Sequence, residues 1–159
     1  EHADKHIFLH VLAEHVQEDM FVSMLYMVLN TATRELTVAR AGHERPILCS
    51  GSHTGFTIVD SPGIGIGLVD KETFDRVLQE ATITLQPGDV VVAYTDGVTE
   101  AMNPQSEEWG LDNFLDAVRV AADEGANSVL NNVRQRLERF VGNRAQYDDM
   151  TLLALRVMR

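Results

Sequence analysis

Basic residues are scarce in this chain. Its 159 residues include 13 Lys and Arg against 24 Asp and Glu, a formal net charge of −11. Nucleic-acid affinity comes mainly from Lys and Arg neutralising phosphates, so the deficit argues against a general nucleic-acid binder. It equally disfavours an anionic membrane surface. Cysteine is scarcer still, with Cys49 standing alone. One thiol makes neither an internal disulfide nor a Cys-rich zinc site, so a reducing, cytoplasmic setting is expected. The longest apolar run, Met20 to Leu29, is broken by Ser23 and falls short of the roughly 18 residues that mark a membrane-spanning helix. Glu1-His2-Ala3-Asp4 is not the basic start of a signal peptide.

Repeats, low-complexity tracts and Pro/Ser linkers are absent as well. Residues 1–159 are therefore expected to form one domain, at 45% hydrophobic and 23% charged residues, ordinary values for a soluble folded chain. The chain does not start with Met, and its first residues already have a helical pattern. From this we expect more protein upstream of Glu1.

Ile7, Phe8, Val11, Leu12 and Val16 share one face of a first helix. His2, His6 and His10 are spaced by four on that helix, a pattern able to chelate a metal, although a solvated polar flank is the simpler reading. Asp19 to Leu29 has the length and composition of a buried strand. Asn30 to Arg34 then forms a hairpin connection, and Glu35 to Ala41 alternates as a second strand. Short strands are expected at Ile47–Cys49 and Phe56–Val59, then longer ones at about Phe74–Leu85 and Val90–Tyr94, joined by the turn Gln86-Pro87-Gly88-Asp89. Helices follow near Leu111–Ala122 and Ser128–Val141, and a last strand covers Met150 to Val157. This order predicts an α+β layered domain rather than an alternating βαβ one.

No nucleophile stands out. Ser23, Ser61 and Ser128 lack the G-x-S-x-G context. Cys49 lies in an apolar strand and reads as a small packed hydrophobe. His43 reads as a structural residue at a strand corner. The bend Gly63-Ile64-Gly65-Ile66-Gly67 is neither GxGxxG nor a P-loop, and it reads as a tight backbone path beside a sheet.

The carboxylates are more informative. Asp96-Gly97 directly follows one apolar strand, and Asp148-Asp149 directly precedes another. If those strands are neighbours, the acids of both ends meet, and a hard divalent cation relieves their repulsion. Oxygen-only ligands favour Mg²⁺ or Mn²⁺ over zinc. Ordinary turn chemistry is the competing explanation, because Asp-Gly and Asp-Asp are common loop formers. Glu100 is near Asp96 in sequence and also reads as a surface or capping residue.

Seven motifs in order carry a family resemblance. Tyr94-Thr95-Asp96-Gly97-Val98-Thr99-Glu100-Ala101 resembles the signature of the SpoIIE/RsbU-like branch of the metal-dependent (PPM, type 2C) serine/threonine phosphatases. Met20 to Tyr26, Ala41-Gly42-His43 with Pro46, Gly65 to Leu68, Gln86 to Asp89, Trp109-Gly110 and Asp148 to Leu153 resemble the other motifs. The resemblance implies a layered α-β-β-α sandwich of antiparallel sheets with flanking helices. It implies a binuclear Mn²⁺ or Mg²⁺ centre whose activated water hydrolyses phosphoserine or phosphothreonine in a protein. Carried over by position, Asp96 and Asp148 are the catalytic metal aspartates and Asp149 is the close alternative. Gly97 completes the metal set by letting the bridging water approach the backbone.

The resemblance also implies a phosphorylated anti-sigma-factor antagonist as substrate, in a bacterial partner-switching pathway, and an upstream sensor or receiver domain. The chain departs from the family pattern at its start. The "GDxYD" strand and the "GHG" helix start are not present, and the only Gly-Asp is Gly88-Asp89. The N-terminal strands of the fold are thus expected to be missing, leaving its C-terminal portion with an under-coordinated cation and an exposed sheet edge. That edge is expected to pair with a second copy, as in a homodimer, or to be covered by the starting helix. The alternative reading is a catalytically incomplete regulatory module of the same fold that binds a partner protein.

Overall fold

The computed structural model describes residues 20–51 and 55–158. The first helix and the histidine series His2, His6 and His10 lie outside the described residues. The chain divides into two compact units, one of residues 1–45 and 59–85, the other of residues 46–58 and 86–159.

The first unit is built on a three-stranded sheet of order β1-β2-β5, from β1 (Met24–Asn30), β2 (Glu35–Ala41) and β5 (Glu80–Thr84). Both pairings are antiparallel. The expected hairpin joins β1 to β2. Its first residue, Asn30, accepts from the backbone N–H groups of Ala32 and Thr33 at 3.0 and 3.2 Å. Arg34 closes the turn in the left-handed region at φ 60, with its N–H 2.7 Å from the Asn30 carbonyl.

Two expectations in this unit fail. The run from Asp19 is not one buried strand. Met20 and Phe21 are exposed, Val22 makes only an isolated bridge to Ile66, and β1 starts at Met24 and is half-buried throughout. The stretch Phe74–Leu85 is not one strand either, because its first part belongs to helix α1 (Lys71–Val77). The overlooked signal is the cap. Asp70 accepts from the Thr73 N–H at 2.9 Å, a bond that lowers the Asp70 pKa below its ordinary value. Phe74 and Leu78, one helical turn apart, are both buried, and they pack with Ala39, Ala41 and Ile66.

The glycine bend is the tight path the sequence suggests. A Cβ on Gly63 would sit 1.7 Å from the Arg40 carbonyl oxygen, and one on Gly42 would sit 2.7 Å from the Gly65 nitrogen. Buried Ser61 anchors the same bend, its hydroxyl 2.7 Å from the Gln79 carbonyl and 3.2 Å from that of Val38.

The second unit carries a four-stranded sheet of order β4-β3-β6-β7. Its strands are β3 (Ile47–Cys49), β4 (Phe56–Ile58), β6 (Val90–Tyr94) and β7 (Leu152–Arg156), and every pairing is antiparallel. All five residues of β6 are buried, which is why this strand reads as an uninterrupted apolar run. Val90, Val92 and Tyr94 share a core with Phe114, Ala117, Val118 and Ala121 of α3 (Gly110–Ala121) and with Val129, Val133 and Leu137 of α4 (Ala126–Val141). Burying each large apolar side chain stabilises the fold by about 1.5–3 kcal/mol.

Between the two helices, a 3₁₀ turn (Ala122–Glu124) ends at Gly125, whose φ of 108 reverses the chain. The carboxylate of Asp89 is buried and accepts from the backbone N–H groups of Gly51 and Gln86, both at 2.8 Å. It therefore serves the turn before β6 and not the acid pair described below.

The chain is thus α+β, with two sheets whose strands pair antiparallel throughout among the described residues. Strand β7 forms one edge of its sheet among the described residues, with Leu153 exposed. No helix among the described residues is long and apolar enough to cross a membrane.

Candidate metal and phosphate site

Neighbouring strands place the acids. β6 and β7 pair antiparallel, with Tyr94 opposite Leu152. The chain leaving β6 and the chain entering β7 therefore run side by side. Thr95 joins them. Its N–H donates to the Thr151 carbonyl at 3.1 Å, and its hydroxyl donates to the Asp149 carbonyl at 3.0 Å and accepts from the Thr151 N–H at 2.8 Å.

Asp96 then starts α2 (Asp96–Thr99), a single helical turn. Gly97 packs on the opposite loop, where an added Cβ would lie 2.7 Å from the Asp149 carbonyl oxygen and 3.4 Å from the Asp148 Cβ. Glycine is needed here for close approach of two backbones, a reason distinct from the water access the resemblance implies.

All three carboxylates are exposed. Asp96 accepts from the Gly97 N–H at 2.9 Å through Oδ1, and Asp148 accepts from the Asp149 N–H at 2.7 Å through Oδ1. Among the described residues, none of the three forms an ion pair. Three uncompensated carboxylates on adjoining turns are suited in donor type to a hard divalent cation. Among the described residues, however, no three acidic, histidine or cysteine side chains form a group able to hold a metal by themselves. A small cleft of about 60 Å³ opens at this point, lined by Gly97, Glu100, Ala101, Arg144, Gln146 and Asp148 among others.

The remaining candidates play other parts. The Cys49 thiol is buried, which pushes its pKa up to about 11, and a thiol that resists ionisation is a poor nucleophile. At His43, the backbone carbonyl accepts from Arg40 Nη1 at 2.9 Å and ring Nδ1 lies 3.2 Å from the Glu44 carbonyl. These contacts suit a strand-corner residue. Thr95 and Arg144 escaped the sequence reading. Thr95 stands at the position where a helix cap is sought, whereas nothing local in the sequence marks Arg144.

Residues 7–158 match the Stage II sporulation protein E (SpoIIE) family. The phosphoserine phosphatase RsbU of Bacillus subtilis (strain 168) is 26% identical over 151 residues, covering 92% of this chain and 42% of RsbU. The chain spans less than half the length of the curated relatives it matches.

Among solved structures, the SiaA-PP2C domain of Pseudomonas aeruginosa superposes with a TM-score of 0.76 at 18% identity, covering 92% of this chain and 56% of that one. The manganese-presoaked phosphatase domain of SpoIIE from Bacillus subtilis gives 0.67 at 14% identity, covering 100% of this chain and 68% of that one. These likenesses show the fold, that of PP2C phosphatase domains. With nearly its whole length matched, the chain belongs to the SpoIIE family.

Proposed function

We propose that this chain is the C-terminal part of a SpoIIE-like phosphatase domain, comprising residues 1–159, that hydrolyses phosphoserine or phosphothreonine in a protein. The observation that carries the reading is the meeting of the Asp96 turn and the Asp148–Asp149 turn at the β6/β7 end, with none of the three acids in an ion pair among the described residues. Asp96 and Asp148 would hold Mn²⁺ or Mg²⁺, with Asp149 and the Gly97 backbone beside them. When bound, such ions supply Lewis acidity and a water acidic enough to attack phosphorus. The chain's own contribution is positional. Thr95 ties the two acid-bearing segments together, and Gly97 lets them close. Among the described residues no serine, threonine, cysteine or histidine lines the cleft, which fits direct attack by water.

RsbU is a phosphoserine phosphatase by name, which supports phosphoserine as the scissile group. The motif resemblance supports a phosphorylated anti-sigma-factor antagonist as the substrate, partner switching as the pathway and an upstream sensor or receiver domain, and the single cysteine supports a cytoplasmic location. The reading is tested by adding manganese to the full-length protein with a phosphoserine-bearing antagonist protein and measuring released phosphate. Metal-dependent release is expected, and no release at saturating metal would overturn it.

A second reading, a non-catalytic partner-binding module, is favoured by one observation. The described residues supply acids from only two turns and no group sufficient for a metal. In that case the same assay shows binding of the antagonist protein without turnover.

A further inference from the structure

Arg144 lies between α4 and β7, in the segment that delivers Asp148. Its guanidinium is held entirely by neutral acceptors. Nη1 donates to the Asn103 carbonyl and to the Ser106 hydroxyl, both at 2.9 Å, and Nη2 lies 3.4 Å from the Met102 sulfur.

The loop that holds it is firmly built. Buried Asn103 accepts from the N–H groups of Gln105 and Glu107, each at 3.0 Å, and donates to the Glu107 carboxylate at 2.7 Å. These contacts fix the guanidinium in place and leave its charge unbalanced. Three other arginines of the second unit are ion-paired, Arg119 and Arg136 with Asp116 and Arg134 with Glu138. No carboxylate pairs with Arg144 among the described residues, although Arg144 helps line the cleft that Asp148 and Gly97 also line.

A guanidinium has five N–H donors. Three are used here, so Nε–H and one Nη2–H remain. A pre-positioned, un-neutralised guanidinium with two spare donors is suited to the oxygens of a tetrahedral anion. We propose that Arg144 binds the phosphoryl oxygens of the substrate and orients the group beside Asp96 and Asp148. This rests on the phosphatase reading above and adds to it the residue that grips the phosphate.

The test uses the full-length protein at saturating manganese, a phosphoserine peptide as substrate and inorganic phosphate as inhibitor. In Arg144→Gln, KM for the peptide and Ki for phosphate should rise together by about 10- to 100-fold, the loss expected for hydrogen bonds to a charged group. Arg144→Lys should recover part of this. The manganese concentration for half-activity should stay at its wild-type value, and a fall in the thermal midpoint alongside the risen KM and Ki reports only the lost bonds to Asn103 and Ser106. A fall in the thermal midpoint or a higher manganese requirement, with KM and Ki unchanged, would make Arg144 a clasp between loops and overturn the proposal. If the wild-type protein releases no phosphate, the phosphatase reading is what fails. Calorimetric binding of inorganic phosphate then judges Arg144 separately: binding lost in Arg144→Gln supports it, and equal binding in both proteins overturns it.

Discussion

The Thr95 hydroxyl donates to the carbonyl of Asp149 at 3.0 Å and accepts from the N–H of Thr151 at 2.8 Å, 54 and 56 residues along the chain. One side chain thus couples the turn bearing Asp96 to the turn bearing Asp148 and Asp149. Thr95→Val keeps the shape and removes both bonds. It should cost about 1–3 kcal/mol in denaturant-unfolding stability and raise the manganese requirement for phosphate release. An unchanged manganese requirement would show that the buckle does not position the acids.

Gly97→Ala places a methyl group 2.7 Å from the Asp149 carbonyl oxygen. That contact is with backbone, so relief requires the two turns to move apart. A destabilisation of about 1–3 kcal/mol is expected, together with weaker metal binding by calorimetry. Wild-type metal binding in this variant would mean that the separation of the turns does not matter.

Much of this geometry was legible in the sequence, for reasons tied to particular residues. The buried run Val90 to Tyr94 and the apolar run from Met150 marked two strands, and the acids at their ends followed directly. Their pairing is not legible, because sequence carries no register between strands so far apart. The start of β1 is obscured because Met20 and Phe21, although apolar, are exposed. Helix α1 is hard to read locally because Phe74 and Leu78 also fit a strand, and only the cap at Asp70 distinguishes the two. Arg144 was invisible for a different reason. Its partners Asn103 and Ser106 are 41 and 38 residues away, and no local pattern encodes contacts of that kind.

Gly63→Ala probes the first unit separately. Its Cβ would overlap the Arg40 carbonyl oxygen at 1.7 Å, and a rigid backbone gives no easy escape. A loss of about 3 kcal/mol or more is expected in thermal or urea unfolding. A variant as stable as wild type would contradict the close packing of the bend on β2.

Cys49 gives a pH prediction. Burial raises its pKa from an ordinary value of 9.0 to about 11, so the folded state favours the neutral thiol. The associated stability is complete below pH 9 and is lost as pH rises from about 9 towards 11. Reaction with a thiol reagent at pH 8 should be slow in the native protein and fast after denaturation. Fast native labelling would contradict the burial.

The most direct test of the account is manganese calorimetry on the full-length protein, with Asp96→Asn and Asp148→Asn beside the wild type. Each substitution should weaken manganese binding by at least about tenfold, and phosphate release from a phosphoserine peptide should fall with it. Wild-type manganese affinity and turnover in either variant would contradict a cation shared between the two turns.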